Sequence, residues 1–300
     1  MTKLNVLVSL ITNDNDYQME QAAAAEDAAR RLDANIQILY AGNDAVNQTQ
    51  QLLKVIQNSP YRPDAILVEP VGTAMVQVAA AAAAAGIGWG VLNREVDYVA
   101  KLRGTSQAPI FAVTTDQEEV GRIQGRQFAV FLKDGGGILY IEGPATGEVG
   151  RLRTSGMQST KPRDVTPRVL RGDWTEDSGY KAVKSWLALG TSQQMGIRLI
   201  GCQNDAMAIG ARRAFEEVAE SQARKDWLSL PFTGCDGVPK TGQEWVRRGL
   251  LAATVVTPPT MGLALEIMTK AIRSGIQPPP RTLSQPSSYP ALEKITARPG

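Results

Sequence analysis

Short apolar segments of strand length alternate along this chain with longer segments of helical pattern. Strands are predicted at residues 4–10, 36–40, 65–68 and 87–92, and helices at residues 17–32, 49–57 and 73–85. Strands that alternate with helices are joined by right-handed crossovers, which build a parallel sheet covered by helices. The first part of the chain therefore has the pattern of a doubly wound α/β unit.

The same alternation then starts a second time. Strands are predicted at residues 111–114, 138–141, 165–170, 197–201, 232–235 and 253–256, and helices at residues 118–132, 178–188, 206–219, 241–248 and 263–272. The 300 residues, 43% of them hydrophobic, suffice for two domains that each have a core of their own. The proline runs at 258–259 and 278–280 mark element boundaries or crossings between the two units.

Two local predictions concern a helix cap and a loop. Asp14 or Asp16 is expected to cap the first helix, because an aspartate side chain accepts hydrogen bonds from the N–H groups of a first turn. Residues 97–109 are expected to form an extended surface loop, and no function is assigned to it.

The composition excludes several kinds of chemistry. Histidine does not occur, which removes the usual activator of serine and cysteine nucleophiles and the commonest metal ligand. Cys202 and Cys235 alone do not supply the four ligands of a structural zinc site, so we expect no metal and no cofactor. A bridge between the two cysteines is geometrically conceivable, but strain beside the candidate ligand-binding residues would be costly, so we expect two free thiols. With 32 basic and 30 acidic residues and no basic cluster, the chain lacks the concentrated positive charge that nucleic-acid binding needs.

Location in the cell is only partly constrained by the sequence. No run of about 18 apolar residues occurs, so no segment is expected to span a membrane. The first strand pattern begins at Leu4, which leaves no room for an apolar signal segment before it. Two locations stay open: the cytoplasm, or the periplasm or another extracytoplasmic space if an export signal has been removed.

Polar side chains gather where the predicted strands end. Asn93 and Arg94 follow the fourth strand, and Asn204 and Asp236 each follow a strand of the second unit. In an open α/β sheet, ligands bind at the carboxyl ends of the strands. The chain is therefore expected to bind a polar molecule at these strand ends.

Five short motifs, taken in order, resemble the type I periplasmic sugar-binding proteins. The proteins of this family are similar to ribose-binding protein. They share their fold with the effector domains of lactose-repressor-type regulators. The motifs are Asn93-Arg94, Arg153 three residues before Gly156, Gln203-Asn204-Asp205-Ala206-Met207-Ala208, Gly234-Cys235-Asp236-Gly237 and Leu251-Ala252-Ala253-Thr254-Val255. The resemblance covers nearly the whole chain. It implies two Rossmann-like lobes, residues 1–115 with 258–283 and residues 116–257 with 284–300, joined by a three-crossing hinge around a ligand cleft.

The resemblance also implies which residues contact the ligand. They are Ser9, Asn13, Tyr17, Glu69, Asn93 and Arg94 in the N-terminal lobe, and Arg153, Trp174, Asn204, Asp236 and Thr257 in the C-terminal lobe. The chain departs from the family at several positions. Glu69 stands where an asparagine or aspartate is usual, Asn93 replaces an aspartate, and Cys235 replaces an aromatic residue.

The chemistry of these residues suits a sugar. Planar polar groups satisfy adjacent hydroxyls in pairs, and an aromatic ring such as Trp174 or Tyr17 covers the C–H face. Because the acids and the arginines of the set nearly cancel, a neutral monosaccharide or polyol is predicted over a phosphate or a carboxylic acid. The predicted function is a monomeric binding protein that closes on its ligand and delivers it to an ABC transporter permease or presents it to a membrane sensor.

Structural roles and other functions are the alternatives. If the candidate residues have structural roles only, Arg94 pairs with a surface acid and Arg153, at a helix start, binds another loop. Trp174 then belongs to the core, and Asn204 and Asp236 only cap helices. An alternative function is that of a sugar-sensing effector domain of a transcriptional regulator or sensor system. As a sugar-active enzyme the chain would use Glu69 or Asp236 as acid or base, but no phosphate-binding loop ending in Gly-Lys-Ser/Thr is present to support that.

Overall fold

The computed structural model describes residues 3–13, 15–57, 62–72, 75–94, 96–145, 148–189 and 196–296. The chain forms two compact units, Met1–Thr115 with Pro259–Ser284 and Asp116–Pro258 with Gln285–Gly300. It therefore passes from one unit to the other three times along its length.

The first unit is a parallel sheet with helices on both faces. Its strands are β1 (Asn5–Leu10), β2 (Asn35–Tyr40), β3 (Ala65–Val68), β4 (Gly88–Leu92), β5 (Ile110–Thr115) and β11 (Arg281–Ser284). Its helices are α1 (Asp16–Leu32), α2 (Ala45–Gln57), α3 (Val76–Ala84), α4 (Tyr98–Arg103) and α11 (Met261–Ser274). The strand order is β11-β5-β4-β3-β1-β2, and every neighbouring pair is parallel.

Each face of this sheet has its own hydrophobic core. The alanine-rich α1 packs beside α11 on one face, where Gly262 of α11 lies so close to Ala24 that a side chain there would be crowded. Helices α2, α3 and α4 contribute to the core on the other face, around the fully buried Trp89. Strands β3 and β4 are buried throughout, which accounts for their continuous apolar runs.

The prediction of an extended loop at residues 97–109 is wrong. The segment contains α4, and its Tyr98 and Val99 are buried in the same core as Trp89. The indole N–H of Trp89 donates a hydrogen bond of 3.4 Å to the Tyr98 hydroxyl. Tyr98 and Leu102 are four residues apart and so share one helical face, which lets this short segment fold as a helix against the core.

The second unit repeats the plan of the first. Its strands are β6 (Gly137–Glu142), β7 (Pro167–Arg171), β8 (Ile197–Cys202), β9 (Phe232–Asp236), β10 (Ala253–Val256) and β12 (Ser287–Tyr289). Its helices are α5 (Gln117–Phe131), α6 (Glu148–Thr160), α7 (Glu176–Leu187), α8 (Asp205–Glu216), α9 (Ser221–Ser229) and α10 (Gly242–Arg247), with a 3-10 turn at Leu292–Lys294. The order β12-β10-β9-β8-β6-β7 matches the first sheet strand for strand. The two differ at the edge, because β12 is antiparallel to β10 whereas β11 is parallel to β5.

Glycines allow α5 and α6 to pack closely. A Cβ atom on Gly121 would overlap the backbone of Arg153, and one on Gly156 would overlap the backbone of Glu118. Close-packed interiors leave no room for such overlap. The spacing of Arg153 and Gly156 thus reflects a tight helix contact, which holds Arg153 beside the start of α5.

The cap of α1 differs from the prediction. Asn15 is the capping residue, and its side chain accepts a hydrogen bond from the backbone N–H of Gln18. Asp16 is the first residue of the helix, and Asp14 lies outside the described residues.

Two helix positions assigned to site residues are also wrong. Arg153 lies inside α6 and not at a helix start. Asp236 ends β9 without opening a helix, because Gly237 turns the chain with a positive φ and α10 begins only at Gly242. Within the described part of the chain, no helix combines the length and the apolarity needed to cross a bilayer.

Candidate functional site

Polar side chains of the first unit meet at the carboxyl edge of its sheet. Ser9 lies near the end of β1, Glu69 follows β3, and Asn93 and Arg94 follow β4. Since β3 lies between β1 and β4, these strand ends are neighbours. The structure accordingly brings Glu69 and Asn93 into direct contact.

Glu69 is a buried carboxylate held by amide groups. Gln18 Nε2 donates to Glu69 Oε2 at 2.9 Å, and Asn93 Nδ2 donates to Glu69 Oε1 at 3.1 Å. Burial raises the pKa of Glu69, while these two hydrogen bonds and the positive charge of Arg94 act in the opposite direction. Each carboxylate oxygen keeps the capacity to accept a further hydrogen.

Asn93 connects several members of this cluster. Its φ of 54° lies in the left-handed region, which asparagine adopts more readily than most residues. Its amide nitrogen donates to the Tyr17 hydroxyl at 3.2 Å as well as to Glu69, and its side-chain oxygen accepts from the Thr260 hydroxyl at 3.3 Å. The predicted residues Tyr17, Glu69 and Asn93 therefore form one hydrogen-bonded group.

Three buried glutamines of this cluster were not predicted from the sequence. Gln18 is 3% exposed, and Gln21 and Gln48 are 0% exposed. Gln48 Nε2 donates to the Ser9 hydroxyl at 3.0 Å and to the backbone oxygen of Glu69 at 2.9 Å. Gln18 and Gln21 lie on the alanine-lined buried face of α1, and a polar residue on such a face is the signal that could have found them.

The remaining predicted residues of the first unit differ in their surroundings. Ser9 is fully buried, and its hydroxyl accepts a hydrogen bond from Gln48, so Ser9 supports the cluster from within the protein. Asn13 is exposed, and Arg94 is partly exposed. The positive charge of Arg94 acts to lower the pKa of Glu69.

Arg153 of α6 contacts residues at the corresponding edge of the second unit. Its side chain is buried; Nε donates to Gln117 Oε1 at 2.8 Å, and Nη1 donates to the backbone oxygen of Gln203. The same Nη1 lies 3.6 Å from Asp236 Oδ1, and the guanidinium carbon lies 5.7 Å from the centre of the Trp174 ring. The structure thus brings three predicted residues together as an ion pair beside an aromatic ring.

Trp174 is held in an unusual backbone conformation. Its φ of 73° is rare for a bulky residue. Asn204 Nδ2 donates to the backbone oxygen of Trp174 at 2.8 Å. The indole lies against Gly143, where a Cβ atom would overlap the ring. These contacts fix where the ring lies relative to Arg153.

Asn204 has a structural role that sequence analysis held as an alternative. It caps α8, because its side-chain oxygen accepts from the backbone N–H of Met207 at 2.9 Å. Its side-chain nitrogen donates to the backbone oxygen of Trp174. A ligand contact by Asn204 stays a prediction that would add to these bonds.

Gln203 ties the loop after β6 to α6, a role that sequence analysis did not assign. It is fully buried, and its Oε1 accepts from the backbone N–H of Gly143 at 2.9 Å. Its Nε2 donates to the backbone oxygen of Gly150 and to the Thr154 hydroxyl, both at 2.9 Å. Gln203 therefore holds together the segments that carry Arg153 and the glycine behind Trp174.

A second acid, Asp205, is buried near Asp236. Its oxygens accept from the Thr254 hydroxyl at 2.7 Å and from the backbone N–H of Gly237 at 2.8 Å. Burial raises the pKa of Asp205 well above its ordinary range, and the negative charge of Asp236 adds to the rise. Thr257 is buried, and its backbone N–H donates to the Asp236 backbone oxygen at 3.0 Å.

Neither cysteine is placed for chemistry. Cys202 and Cys235 are buried free thiols, and burial raises the pKa of both, which disfavours the reactive thiolate. In the ranges that the structure describes, no group of three or more cysteine, aspartate or glutamate side chains is arranged to hold a metal ion.

A family model for the periplasmic binding protein domain matches residues 6–274. The chain therefore belongs to this family. The predicted fold class, two doubly wound parallel-sheet units of the type I periplasmic binding proteins, is confirmed. A comparison with curated protein sequences finds no significant match.

Solved structures of the same fold cover nearly the whole chain. An ABC transporter periplasmic solute-binding protein from Actinobacillus succinogenes, with bound D-allose, is 21% identical and superposes with a TM-score of 0.80 over 95% of this chain and 97% of that one. A solute-binding protein from Bacillus halodurans, with bound myo-inositol, is 21% identical, with a TM-score of 0.78 and coverage of 98% and 96%. One from Mycobacterium smegmatis, with bound glycerol, is 22% identical, with a TM-score of 0.78 and coverage of 100% and 98%.

Proposed function

We propose that this protein is a solute-binding protein that captures a neutral monosaccharide or a related polyol and delivers it to an ABC transporter. The observation that carries the proposal is the ion pair of Arg153 and Asp236 beside the Trp174 ring. A guanidinium and a carboxylate bind adjacent hydroxyls in pairs, and an indole covers the C–H face of a sugar. The D-allose, myo-inositol and glycerol bound in proteins of similar fold support this ligand class.

The charges of the two clusters favour a neutral ligand. Arg153 lies 3.6 Å from Asp236, and the charge of Arg94 acts on Glu69. Arg153 is thus paired with an acid of its own unit, and the charge of Arg94 acts to lower the pKa of another acid, Glu69. An anionic ligand such as a sugar phosphate would have to compete with these acids for the arginines and would bring a negative charge close to them. A polyol binds to both partners of each pair without that cost.

In this proposal one ligand contacts the cluster around Glu69 and the cluster around Arg153, and the units close on it about the chain crossings. Support comes from the rule that ligands of doubly wound sheets bind outside the carboxyl ends of the strands, where both clusters lie. A ligand favours a closed state only if it has more affinity for that state than for the open one, and contacts with both units supply the difference.

The proposed protein binds its ligand without changing it. Glu69 accepts hydrogen bonds from two amides, and Asp236 is paired with Arg153, so both acids already serve as acceptors. It acts as a monomer outside the cytoplasmic membrane, as its family membership suggests, and its macromolecular partner is a transporter permease.

A thermal-shift panel tests the ligand class. The neutral compounds are D-allose, D-ribose, myo-inositol and glycerol, and the charged ones are ribose 5-phosphate and gluconate. A ligand that binds only the folded state raises stability by about 2.7 kcal/mol at a hundred times its Kd. We expect at least one neutral compound, and neither charged one, to raise the melting temperature. Stabilisation by a charged compound alone would overturn the proposal.

Paired variants test whether both clusters contact the same ligand. Asn93→Leu in the first unit and Trp174→Ala in the second should each weaken binding of the stabilising sugar by roughly tenfold or more, because each removes polar or ring contacts. Arg151→Ala is the control, since Arg151 is an exposed residue of α6 two positions before Arg153. If calorimetry shows that only one of the two substitutions weakens sugar binding, the site is restricted to the unit that carries that substitution.

A further inference from the structure

Two chains of hydrogen bonds with a fixed direction converge on Glu69. The first begins at the backbone N–H of Ile11, which donates to Gln18 Oε1 at 3.0 Å. A backbone N–H only donates, so the oxygen of the Gln18 amide must face it. The nitrogen of the same amide is then the group that lies 2.9 Å from Glu69 Oε2, and this nitrogen only donates.

The second chain begins at the backbone N–H of Met261, which donates to Gln21 Oε1 at 2.9 Å. This contact turns Gln21 Nε2 toward the Thr260 hydroxyl oxygen, 3.2 Å away. Thr260 in turn donates its own hydrogen to Asn93 Oδ1 at 3.3 Å, which leaves Asn93 Nδ2 to donate to Glu69 Oε1 at 3.1 Å. Each link fixes the direction of the next one.

Both oxygens of Glu69 therefore face hydrogen-bond donors whose orientation is anchored in the backbone. A carboxyl proton on either oxygen would compete with an amide N–H for that oxygen. We propose that Gln18 and Thr260 are positioning residues that hold Glu69 as a carboxylate, so that the site accepts hydroxyl hydrogens from its ligand at this point.

Other forces act on the same group. Burial works against the two chains, because it raises the pKa of Glu69. The positive charge of Arg94 acts with them. The Tyr17 hydroxyl is joined to the cluster as well, because it accepts hydrogen bonds from Gln21 and Asn93, each at 3.2 Å. The two chains thus keep a carboxylate charged at a position where burial alone would favour its neutral form.

The ionisation of Glu69 can be measured without any ligand. Protein labelled with carbon-13 at the glutamate carboxyl carbon gives signals that move on protonation, and the signal missing from Glu69→Gln belongs to Glu69. Should that variant not fold, Glu69→Asp serves the same assignment. We expect Glu69 to be ionised at pH 7 in the unaltered protein.

Two variants then break the chains separately. Gln18→Met removes the donor to Oε2, and Thr260→Val removes the hydroxyl that orients Asn93 at nearly constant volume. Each should raise the midpoint of the Glu69 titration by about one pH unit or more, because a hydrogen bond to the charged form is lost. Thr260→Ser, which keeps the hydroxyl, should restore the midpoint. Gln124→Met is the control, because Gln124 is an equally buried glutamine that bonds Tyr140 and Cys202 in the other unit.

A protonated Glu69 at pH 7 in the unaltered protein, or a midpoint that neither variant moves, would overturn the inference. The consequence for the ligand rests on the proposed function and has a separate readout. Calorimetry with D-allose and with myo-inositol should show that Gln18→Met loses up to about tenfold more affinity below the Glu69 midpoint than well above it. If neither compound binds, the proposed function loses support while the carbon-13 titration still decides the state of Glu69.

Discussion

The two strand-end clusters bury charge in different ways. In the first unit, the carboxylate of Glu69 is held by the neutral amides of Gln18 and Asn93. In the second unit, a buried guanidinium, Arg153, lies beside Asp236 and an aromatic ring. The first cluster depends on the direction of hydrogen bonds, and the second depends on opposite charges. The same sheet order therefore supports two kinds of polar site, and the two should respond differently to mutation.

One backbone feature is common to both clusters. Asn93 follows β4 and Asp236 ends β9, which are equivalent strands of the two sheets. Both residues have positive φ, 54° for Asn93 and 102° for Asp236. Asparagine and aspartate tolerate this conformation better than larger or branched residues do. The backbone at this point in each unit thus favours asparagine, aspartate or glycine, while the side chains around it determine the chemistry.

The largest effect is expected for Arg153→Ala. Removal of one partner of a buried ion pair leaves the other without compensation, and because Asp236 is partly exposed we expect the low end of that cost, about 3 kcal/mol of unfolding free energy. Gln18→Met in the first unit breaks two hydrogen bonds, the one from the Ile11 N–H and the one to Glu69, and should cost about 2 kcal/mol, because each bond is worth about 1 kcal/mol. Urea denaturation of both variants measures the difference.

Arg151→Ala is the matched control for Arg153→Ala. Arg151 lies on the same helix, 69% exposed, with Glu148 3.7 Å away. Exposed pairs of this kind contribute less than about 1 kcal/mol. If Arg153→Ala were no more harmful than Arg151→Ala or Gln18→Met, the contrast between a charge-dependent and a direction-dependent cluster would be lost.

How far the sequence predicts this molecule differs between backbone and site. The alternation of strands and helices predicts both sheets, because continuous apolar runs are what parallel strands need. The strand-end rule brings Glu69 to Asn93. Arg153, which the family resemblance predicts, reaches Asp236 from within α6. Helix α4 was not predicted because its apolar pattern is only one turn long. Strands β11 and β12 were not predicted because their segments are short and polar.

The buried glutamines show what sequence patterns do not reveal. The partners of Gln18, Gln21 and Gln203 cannot be predicted from the sequence, since each is satisfied by a group distant in sequence or by the backbone. The cost of burying an amide vanishes only when such partners exist. The helical pattern of α1 can indicate that Gln18 and Gln21 are buried, but only the tertiary structure shows which groups satisfy them. The direction of the hydrogen bonds that reach Glu69 likewise cannot be predicted from the sequence.

The next largest effect concerns ligand binding by the first unit. Glu69→Gln should weaken binding of the stabilising sugar by more than about tenfold, because a charge-assisted hydrogen bond is worth roughly 1.5 to 3 kcal/mol. The new amide would also set its nitrogen against Gln18 Nε2 or Asn93 Nδ2, both of which are donors. Titration calorimetry at pH 7.5 gives the affinity. Binding as tight as that of the unaltered protein would show that the ligand does not use Glu69.

A smaller effect is expected where the second unit positions its ring. A Cβ atom on Gly143 would overlap Trp174, so Gly143→Ala should displace the indole and cost about 1 to 3 kcal/mol of stability. The tryptophan fluorescence should change as well. Gly150→Ala is the control, because its Cβ atom would meet Gln203 Oε1 at 3.2 Å, a contact that a small shift relieves. Equal melting temperatures for both variants would show that the ring is not held by Gly143.

The smallest effect has the opposite sign and depends on pH. The pKa of Asp205 is raised above its ordinary value of 3.8 by burial and by the charge of Asp236. Between the unfolded and the folded pKa the folded protein binds more protons than the unfolded one, so this group makes stability fall as the pH rises through that window. Above the window, a charged Asp205 lowers the stability of the folded protein, because its carboxylate is buried close to the negative charge of Asp236.

Asp205→Asn removes that cost with little change in shape. The asparagine oxygen accepts from the Gly237 N–H, and its nitrogen donates to the Thr254 hydroxyl, in the places of the two carboxylate oxygens. We expect the variant to be more stable by about 1 kcal/mol at pH 8 and equal to the unaltered protein at a pH well below 3.8, where the aspartate is neutral in both states. Asp226→Asn, at an exposed position of the same unit, should leave the pH profile of urea denaturation unchanged. Destabilisation by Asp205→Asn at pH 8 would instead show that the second cluster requires both carboxylates, and that the charge of Arg153 compensates more than one acid.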